Sequence, residues 1–345
     1  LPEDDEEAHM DAMRRFKRSI IMRVAACDIT GILPLMKVSD HLTWLAEVLL
    51  EQVLQQSWHY LTQRHGFPTR DDSDVTRPEM VIVGYGKSGG IELGYDSDLD
   101  LVFIHNAQLN RVTNGERSID NLVFYTRLGQ RIIHLLTSFT AAGRLYEVDM
   151  RLRPSGNSGL LVTSFESFKD YQEKEAWVWE HQALCRARAL AGEAQLMTQF
   201  EHTRADIIGR ERDRNSLKQE VLNMREKMRA HLDTSGIEKG FDLKQGAGGI
   251  IDIEFMVQYM VLAWSHRYPD LMTYSDNIRQ LEAAEAHDLL STENVAKMKE
   301  AYTFYRAAAH RQTLQKQGRL VPVDTLEENQ GVIAQYWKAF IEQAC

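Results

Sequence analysis

The chain has 345 residues, enough for two or three domains, and 43% of them are hydrophobic, the usual proportion for a globular protein. A formal net charge of −10 argues against a generally basic nucleic-acid-binding protein. Three distant cysteines argue against a disulfide framework or a zinc site and suit the reducing cytoplasm, and no apolar run approaches the roughly 18 residues of a membrane span.

The first 64 residues predict a helical lead-in of two or three helices. Apolar residues recur at steps of three and four over residues 42–53, and Ser39 or Asp40 is able to cap the helix that carries them. A polar stretch with two prolines then predicts a linker into a new domain, over residues 65–193. Because the sequence begins with Leu1, we expect a fragment of a longer chain.

The domain over residues 65–193 mixes strand and helix patterns. Short apolar runs bounded by glycine or polar residues predict buried strands, and periodic apolar residues predict helices. The predicted strands cover residues 80–83, 98–104 and 145–152, and the predicted helices cover residues 121–137, 165–175 and 176–191.

The sequence pattern of residues 194–345 predicts a helical bundle. Residues 217–232 are amphipathic, Ser275 and Ser291 are suitable helix caps, and a glycine-rich motif, KQGAGGIIDIEF, interrupts the helices at residues 244–255. The whole chain therefore predicts an α+β fold that is predominantly helical, with a small mixed sheet between N-terminal helices and the C-terminal bundle.

The segment VIVGYGKSGGIELGYDSDLDLVFI matches parts of three phosphate-binding signatures. A dinucleotide-binding fingerprint needs a crossover of a dozen or more residues after the glycines, but only seven separate Gly90 from Asp98. A P-loop needs a glycine five positions before Gly86, where Val81 stands. The third signature, a pair of metal-binding carboxylates, fits better.

Asp98 and Asp100 are two positions apart in a predicted strand. Such residues point to the same face, with Cα atoms roughly 6.5–7 Å apart, and their carboxylates can bridge two Mg²⁺ ions. Asp149, in the motif YEVDMRLRPSG, is the candidate for a third carboxylate. The alternatives are a surface or capping pair for the first two, and a salt bridge to Arg151 or Arg153 for Asp149.

A glycine-rich turn precedes this carboxylate pair. Glycines allow a tight turn whose N–H groups approach a triphosphate, and nearby lysine and serine side chains add a charge and a hydroxyl donor. The residues expected to hold the phosphates are Gly86, Lys87, Ser88, Gly89 and Gly90.

Four motifs in order resemble the glutamine synthetase adenylyltransferase family, a branch of the nucleotidyltransferase-fold superfamily. They are VGYGKSGGIELGYDSDLDLVF, YEVDMRLRPSG, EAWVWEHQALCRAR and KQGAGGIIDIEF. The family's enzymes carry two similar halves, of which the N-terminal half removes AMP from glutamine synthetase and the C-terminal half adds it. One copy of each motif is present, and its details resemble the AMP-adding half, although Ser88 stands where the family usually has leucine.

The resemblance implies that Asp98, Asp100 and Asp149 bind two Mg²⁺ ions and catalyse transfer of AMP from ATP to a tyrosine of glutamine synthetase. In this reaction the charges of Arg151 and Arg153 are expected to neutralise the departing diphosphate. The resemblance also places the second glycine-rich motif against the nucleotide or the protein substrate, through Lys244, Asp252 and Glu254. From the residues alone, that motif is equally well explained as the entry to a helix, with Asp252 near its start.

The resemblance implies further partners: glutamine synthetase as protein substrate, a PII-family signal protein, and the other half of the full-length chain. Two alternative functions stay open. One is phosphorolytic removal of AMP, the activity of the other half. The second is a non-catalytic docking module for glutamine synthetase or the signal protein, although such a module needs no cluster of carboxylates. Nucleotide transfer to RNA is disfavoured by the acidic charge balance.

Overall fold

Two long helices open the chain in the computed structural model, which describes residues 5–71, 73–230, 240–318, 320–322 and 327–343. Helix α1 covers Glu6–Ile29 and helix α2 covers Leu35–His65, as the helical pattern predicts. The predicted cap at Ser39 or Asp40 is wrong, because α2 begins one turn earlier, directly after Pro34. A proline is tolerated there because its missing N–H group has no partner at the start of a helix.

The chain divides into two compact units, and each is described by itself. The first unit contains Leu1–Ala176 and Ala187–Thr203. The second contains Trp177–Arg186 and Arg204–Cys345.

The first unit contains a mixed sheet of five described strands, in the order β3-β2-β1-β5, with β4 on the same edge of β2 as β3. Strand β1 is antiparallel to both of its neighbours, whereas β3 and β4 run parallel to β2. The strands are β1 Met80–Gly84, β2 Leu99–His105, β3 Val148–Asp149, β4 Val162–Ser164 and β5 Arg188–Gly192.

Three further helices belong to this unit: α3 Gly86–Gly89, α4 Asn121–Thr137 and α5 Phe165–Lys174. The predicted bounds of α4 are confirmed, and its predicted apolar face is buried except for Leu122, which is 42% exposed. Apolar residues of α2, α4, β1 and β2 contribute to one hydrophobic core, in which the rings of Trp58 and Phe124 meet edge to face.

The prediction of a single helix over residues 176–191 is wrong. The segment forms a short helix, α6 at Val178–Cys185, followed by β5. Strand β1 is wholly buried, and without β5 its second edge would leave backbone N–H and C=O groups without partners. Strand pairing therefore outweighs the helix propensity of the alanines in this stretch.

The predicted strand over residues 145–152 is also too long, since only β3, Val148–Asp149, is a strand. Two strands share one edge of β2. β3 pairs with Leu99 and Asp100, and β4 pairs with the segment from Phe103 to His105. The edge available to β3 is therefore short.

A buried arginine connects α1 to the end of α4. Arg14 is 1% exposed, and its guanidinium donates hydrogen bonds only to backbone carbonyl groups among the contacts described. The acceptors are Met10 at 2.9 Å, Leu135 at 3.2 Å, Ser138 at 2.6 Å and Gly143 at 2.6 Å. A cation near the last carbonyls of a helix also complements the helix dipole.

We expect Arg14→Met to lower the free energy of unfolding by about 2–4 kcal/mol, because buried carbonyl groups would lose a charged donor. Urea denaturation followed by circular dichroism measures the change. Arg15→Met is the control, since Arg15 is 76% exposed and forms a surface ion pair with Asp11. Equal effects of the two substitutions would contradict the structural role of Arg14.

The second unit is helical apart from one two-stranded ribbon, β6 Phe241–Asp242 with β7 Leu320–Val321, among the residues described. Helix α7, Ala194–Ile208, begins in the first unit, which ends at Thr203, and continues into the second. Besides α6, the other described helices of the second unit are α8 Arg214–Ala230, α9 Ile250–Trp264, α10 Asn277–Ala286, α11 Thr292–Leu314 and α12 Glu327–Trp337, which continues as a π-helical turn at Lys338–Glu342. These elements and the small sheet of the first unit confirm the predicted, predominantly helical α+β fold.

The helix starts of the second unit agree in part with the caps predicted from the sequence. Ser291 caps α11 as predicted, whereas α10 is capped by Asp276 and not by Ser275. The predicted amphipathic helix over residues 217–232 corresponds to α8, and residues 231 and 232 lie outside the described residues. No helix in the described ranges is long and apolar enough to cross a membrane.

Candidate functional site

Two aspartates stand at the start of β2. Asp98 directly precedes the strand, and Asp100 is its second residue. Leu99 and Leu101 are fully buried, and residues two apart in a strand share a face. The leucines therefore anchor this end of β2 in the core, while Asp100 is half-buried and Asp98 is exposed.

The short strand β3 brings a third aspartate to this pair. In the parallel pairing of β2 with β3, Asp149 is the register partner of Asp100. One carboxylate oxygen from each of Asp98, Asp100 and Asp149 lies within 4.8 Å of the others. We call these three residues the acidic triad.

The acidic triad fits a divalent cation. Magnesium prefers carboxylate oxygens and keeps open positions for substrate phosphates. Three carboxylates so close together repel one another, and a bound cation would remove that repulsion. The donor set is thus the kind that holds Mg²⁺ in phosphoryl-transfer sites.

A glycine turn lies directly beside the triad. Strand β1 ends at Gly84, Tyr85 N–H donates to the carbonyl of Asp100 at 2.9 Å, and α3 begins at Gly86. Gly86 has a positive φ of +55°, and a Cβ atom added there would lie 2.8 Å from Asp100 Oδ2. Only glycine combines this backbone conformation with so close an approach.

We expect Gly86→Ala to reduce activity at least tenfold, because it strains the left-handed backbone by about 1–2 kcal/mol and pushes against Asp100. Steady-state kinetics with ATP, the substrate that the family resemblance implies, as the varied substrate measures the loss. Gly31→Ala is a matched control, since Gly31 has a φ of +71° and open space around its Cβ position. Loss of stability without loss of activity in the folded Gly86→Ala protein would contradict this expectation.

The other turn residues have defined environments. Ser88 is buried, and its hydroxyl donates to the carbonyl of Tyr85 at 2.8 Å. The N–H groups of Gly89 and Gly90 donate to the carbonyls of Tyr85 and Gly86, while Lys87 is exposed. The turn is therefore held by its own hydrogen bonds.

Arg151 and Arg153 follow Asp149 but have different partners. Arg151 donates to Asp149 from its backbone N–H at 2.8 Å and from Nε at 2.8 Å, so the ion pair considered as an alternative is present beside the triad. These side-chain hydrogen bonds lower the pKa of the Asp149 carboxyl and raise the pKa of Arg151. Arg153 instead donates to the carbonyls of Met150 and Asn157.

One arginine of the motif EAWVWEHQALCRAR lies near the glycine turn. Arg188 is the register partner of Gly84 in the β1–β5 pairing, its Nε lies 3.4 Å from the carbonyl of Gly89, and its guanidinium forms an ion pair with Glu47. The predicted helix over this segment could not place the side chain, because its position depends on the pairing of β5 with β1.

The second glycine-rich motif belongs to the second unit, whereas the triad belongs to the first. Lys244 is exposed, and Glu254 forms an ion pair with the buried Arg186. Asp252 is fully buried in the first turn of α9 and accepts a hydrogen bond from Gly248 N–H at 2.7 Å.

Two arginines of α8 bind the Asp252 carboxylate, and no sequence pattern predicted either of them. Arg225 donates from Nε at 2.6 Å and Arg229 from Nη2 at 2.8 Å. Arg225 also donates to the carbonyl of Gln245 at 2.8 Å, so it holds both the loop and the helix that follows.

Comparisons with known proteins show what this chain is similar to. The family model described as "Glutamate-ammonia ligase adenylyltransferase" matches residues 1–203, and one described as "GlnD PII-uridylyltransferase" matches residues 215–337. Three proteins named "Bifunctional glutamine synthetase adenylyltransferase/adenylyl-removing enzyme" are similar: 54% identical in Pseudomonas syringae pv. tomato, 52% in Pseudomonas aeruginosa and 50% in Nitrosococcus oceani.

These alignments cover 98–99% of this chain but only 35–36% of the relatives, so the chain spans about a third of their length. The first family model covers more than half of the chain and includes the acidic triad and the glycine turn. The chain therefore belongs to the glutamate-ammonia ligase adenylyltransferase family.

Proposed function

We propose that this chain transfers AMP from ATP to a tyrosine hydroxyl of glutamine synthetase and releases diphosphate. The observation that carries the proposal is the acidic triad, whose carboxylate oxygens lie within 4.8 Å of one another beside the glycine turn. Family membership supports the same reaction, and the name of the relatives supports glutamine synthetase as the protein substrate.

In the proposed reaction the tyrosine oxygen forms a bond to the α-phosphorus of ATP. The bond between that phosphorus and the oxygen leading to the β-phosphate breaks, and the phenol proton passes to solvent. A phenol has an ordinary pKa near 10, so the reaction needs stabilisation of the attacking oxygen as its proton leaves.

Asp98, Asp100 and Asp149 would hold two Mg²⁺ ions, which when bound would stabilise negative charge on the attacking and leaving oxygens. For Asp149 we favour the role of metal ligand over that of general base. Its hydrogen bonds with Arg151 lower the pKa of its carboxyl, and this makes the carboxylate a weaker base.

The glycine turn, Gly86 to Gly90, is proposed to lie against the triphosphate. Lys87 is exposed at this turn and is a suitable charge for a phosphate oxygen. Arg151 is the better candidate to neutralise the departing diphosphate, because Arg153 already donates to three carbonyl groups of its own loop.

Removal of AMP by phosphorolysis is the second candidate, since the relatives carry both activities in their name. We favour addition because the motifs resemble the AMP-adding half. Incubation of the chain with unmodified glutamine synthetase, ATP and Mg²⁺, compared with incubation of adenylylated glutamine synthetase and phosphate, separates the two. Activity only in the second reaction would reverse our assignment, and activity in neither would favour the docking module.

The further partners are also proposals. Similarity of residues 215–337 to the PII-uridylyltransferase family model supports a PII-family signal protein as a partner of the second unit. We propose the remaining two thirds of a longer chain as another partner, and the cytoplasm as the location. The cytoplasm suits Cys27 and Cys185, which are free thiols.

The second glycine-rich motif is proposed to contribute to substrate binding through its exposed members. Lys244 is exposed and Glu254 is half-buried, so both are open to contact with a nucleotide or protein. Asp252 has no exposed surface and is surrounded by three donors. Any role of Asp252 in binding therefore acts through the position of the loop.

A further inference from the structure

A cavity of about 420 Å³ lies between α2 and α4 in the first unit, and its charged lining is entirely basic. No aspartate or glutamate of the described part of the chain lines it. We call it the basic cavity. Its aromatic and basic lining residues are Tyr60, Arg64, His65, Arg127, Arg131 and His134.

Arg127 is oriented by a neutral partner. The His65 ring is buried, and its Nδ1 lies 2.8 Å from the carbonyl oxygen of Arg117, which can only accept a hydrogen bond. Nδ1 therefore carries the hydrogen, and the lone pair of Nε2 accepts from Arg127 Nη1 at 3.1 Å. This arrangement positions the guanidinium of Arg127 without neutralising its charge.

Arg131 is held over an aromatic ring. Its guanidinium carbon lies 3.3 Å from the centre of the Tyr60 ring, a cation–π contact. Its Nη2 forms an ion pair with Glu6 at 3.0 Å, and its buried Nε has no hydrogen-bond partner among the described residues. One buried donor of this arginine is thus satisfied by no described residue.

The charges of the cavity are otherwise uncompensated. Among the residues described, neither Arg64 nor Arg127 has a carboxylate within ion-pair distance, and Arg127 and Arg131 are four residues apart on one helix face. Like charges at that spacing destabilise a helix. The chain carries a net charge of −10, so a basic cluster in which only Arg131, among the described residues, has an acidic partner is unusual for it.

We propose that the basic cavity is a binding site for a small, multiply charged anion that carries phosphoryl or carboxylate groups. Arginine guanidinium groups present paired donors that match the oxygens of both groups. The proposal is independent of nucleotidyl transfer, because it uses none of the residues of the acidic triad or the glycine turn.

Isothermal titration calorimetry in metal-free buffer tests this site with inorganic diphosphate and, separately, with citrate. Without a metal ion the acidic triad repels both probes. We expect saturable binding of at least one probe, weakened at least tenfold in Arg64→Gln/Arg127→Gln. Both residues are exposed, so the variant is expected to fold, and circular dichroism checks this.

One control has a matched loss of charge. Arg15→Gln/Lys169→Gln removes two exposed charges elsewhere in the first unit and is expected to bind as the unaltered chain does. Binding of diphosphate alone indicates a phosphoryl ligand, and binding of citrate alone indicates a carboxylate ligand. Binding of both probes indicates that the site selects for charge. No binding of either probe, or binding unaffected by Arg64→Gln/Arg127→Gln, overturns the proposal.

Discussion

Asp98→Asn is expected to reduce AMP transfer by roughly 10²- to 10³-fold while the protein remains folded. Asp98 is exposed, so its replacement disturbs no core packing. An amide keeps the shape of the side chain but removes the charge that attracts a divalent cation. Asp100→Asn is expected to act in the same way, because both carboxylates contribute oxygens to the same cluster.

A binding readout separates loss of metal binding from other causes. Relief of repulsion within the triad should leave the Tm of the metal-free Asp98→Asn protein unchanged or slightly higher. Added Mg²⁺ should raise the Tm of the unaltered chain, since a ligand that binds only the folded state stabilises it, and should raise the Tm of the variant less.

Asp96→Asn is the control for this experiment. Asp96 is an exposed aspartate two residues before Asp98 and is not part of the cluster, so its loss changes the local charge equally without removing a proposed ligand. Near-normal transfer by Asp98→Asn, or an equal loss in Asp96→Asn, would refute the role assigned to the triad.

The part of the candidate site near β2 was predictable because its signals are local. Alternation of leucine and aspartate places two carboxylates on one face, and a glycine turn directly upstream indicates close approach of the backbone. The meeting of Asp149 with this pair is less local. It rests on the parallel register of β3 with β2, which a two-residue strand signals only weakly in a sequence.

Elements that depend on distant partners were not predictable in the same way. The segment that contains β5 is rich in alanine, and only its pairing with the buried strand β1 makes it a strand. Arg14 looks like one member of a basic run, yet it is buried against carbonyl groups more than 120 residues away. Neither periodicity nor composition reports such contacts.

Asp252→Ala is expected to lower the stability of the second unit by about 3–5 kcal/mol, the usual cost of breaking a buried ion pair by removing one partner. Asp252 and Arg225 are both 0% exposed, and Arg229 is 31% exposed. The substitution would leave Arg225 buried without its carboxylate and would remove the acceptor of Gly248 N–H. Urea denaturation followed by circular dichroism, with hydrogen exchange of the α9 amides, measures the effect.

Two comparisons decide whether Asp252 acts through structure or through ligand binding. Asp270→Ala removes an exposed carboxylate paired with His287 and should cost less than about 1 kcal/mol. Arg225→Met/Asp252→Leu replaces the buried pair with apolar side chains and should recover much of the stability lost in Asp252→Ala. A stable Asp252→Ala protein with weakened ATP binding would show instead that the carboxylate acts directly on the nucleotide, since loss of a structural ion pair cannot leave stability intact.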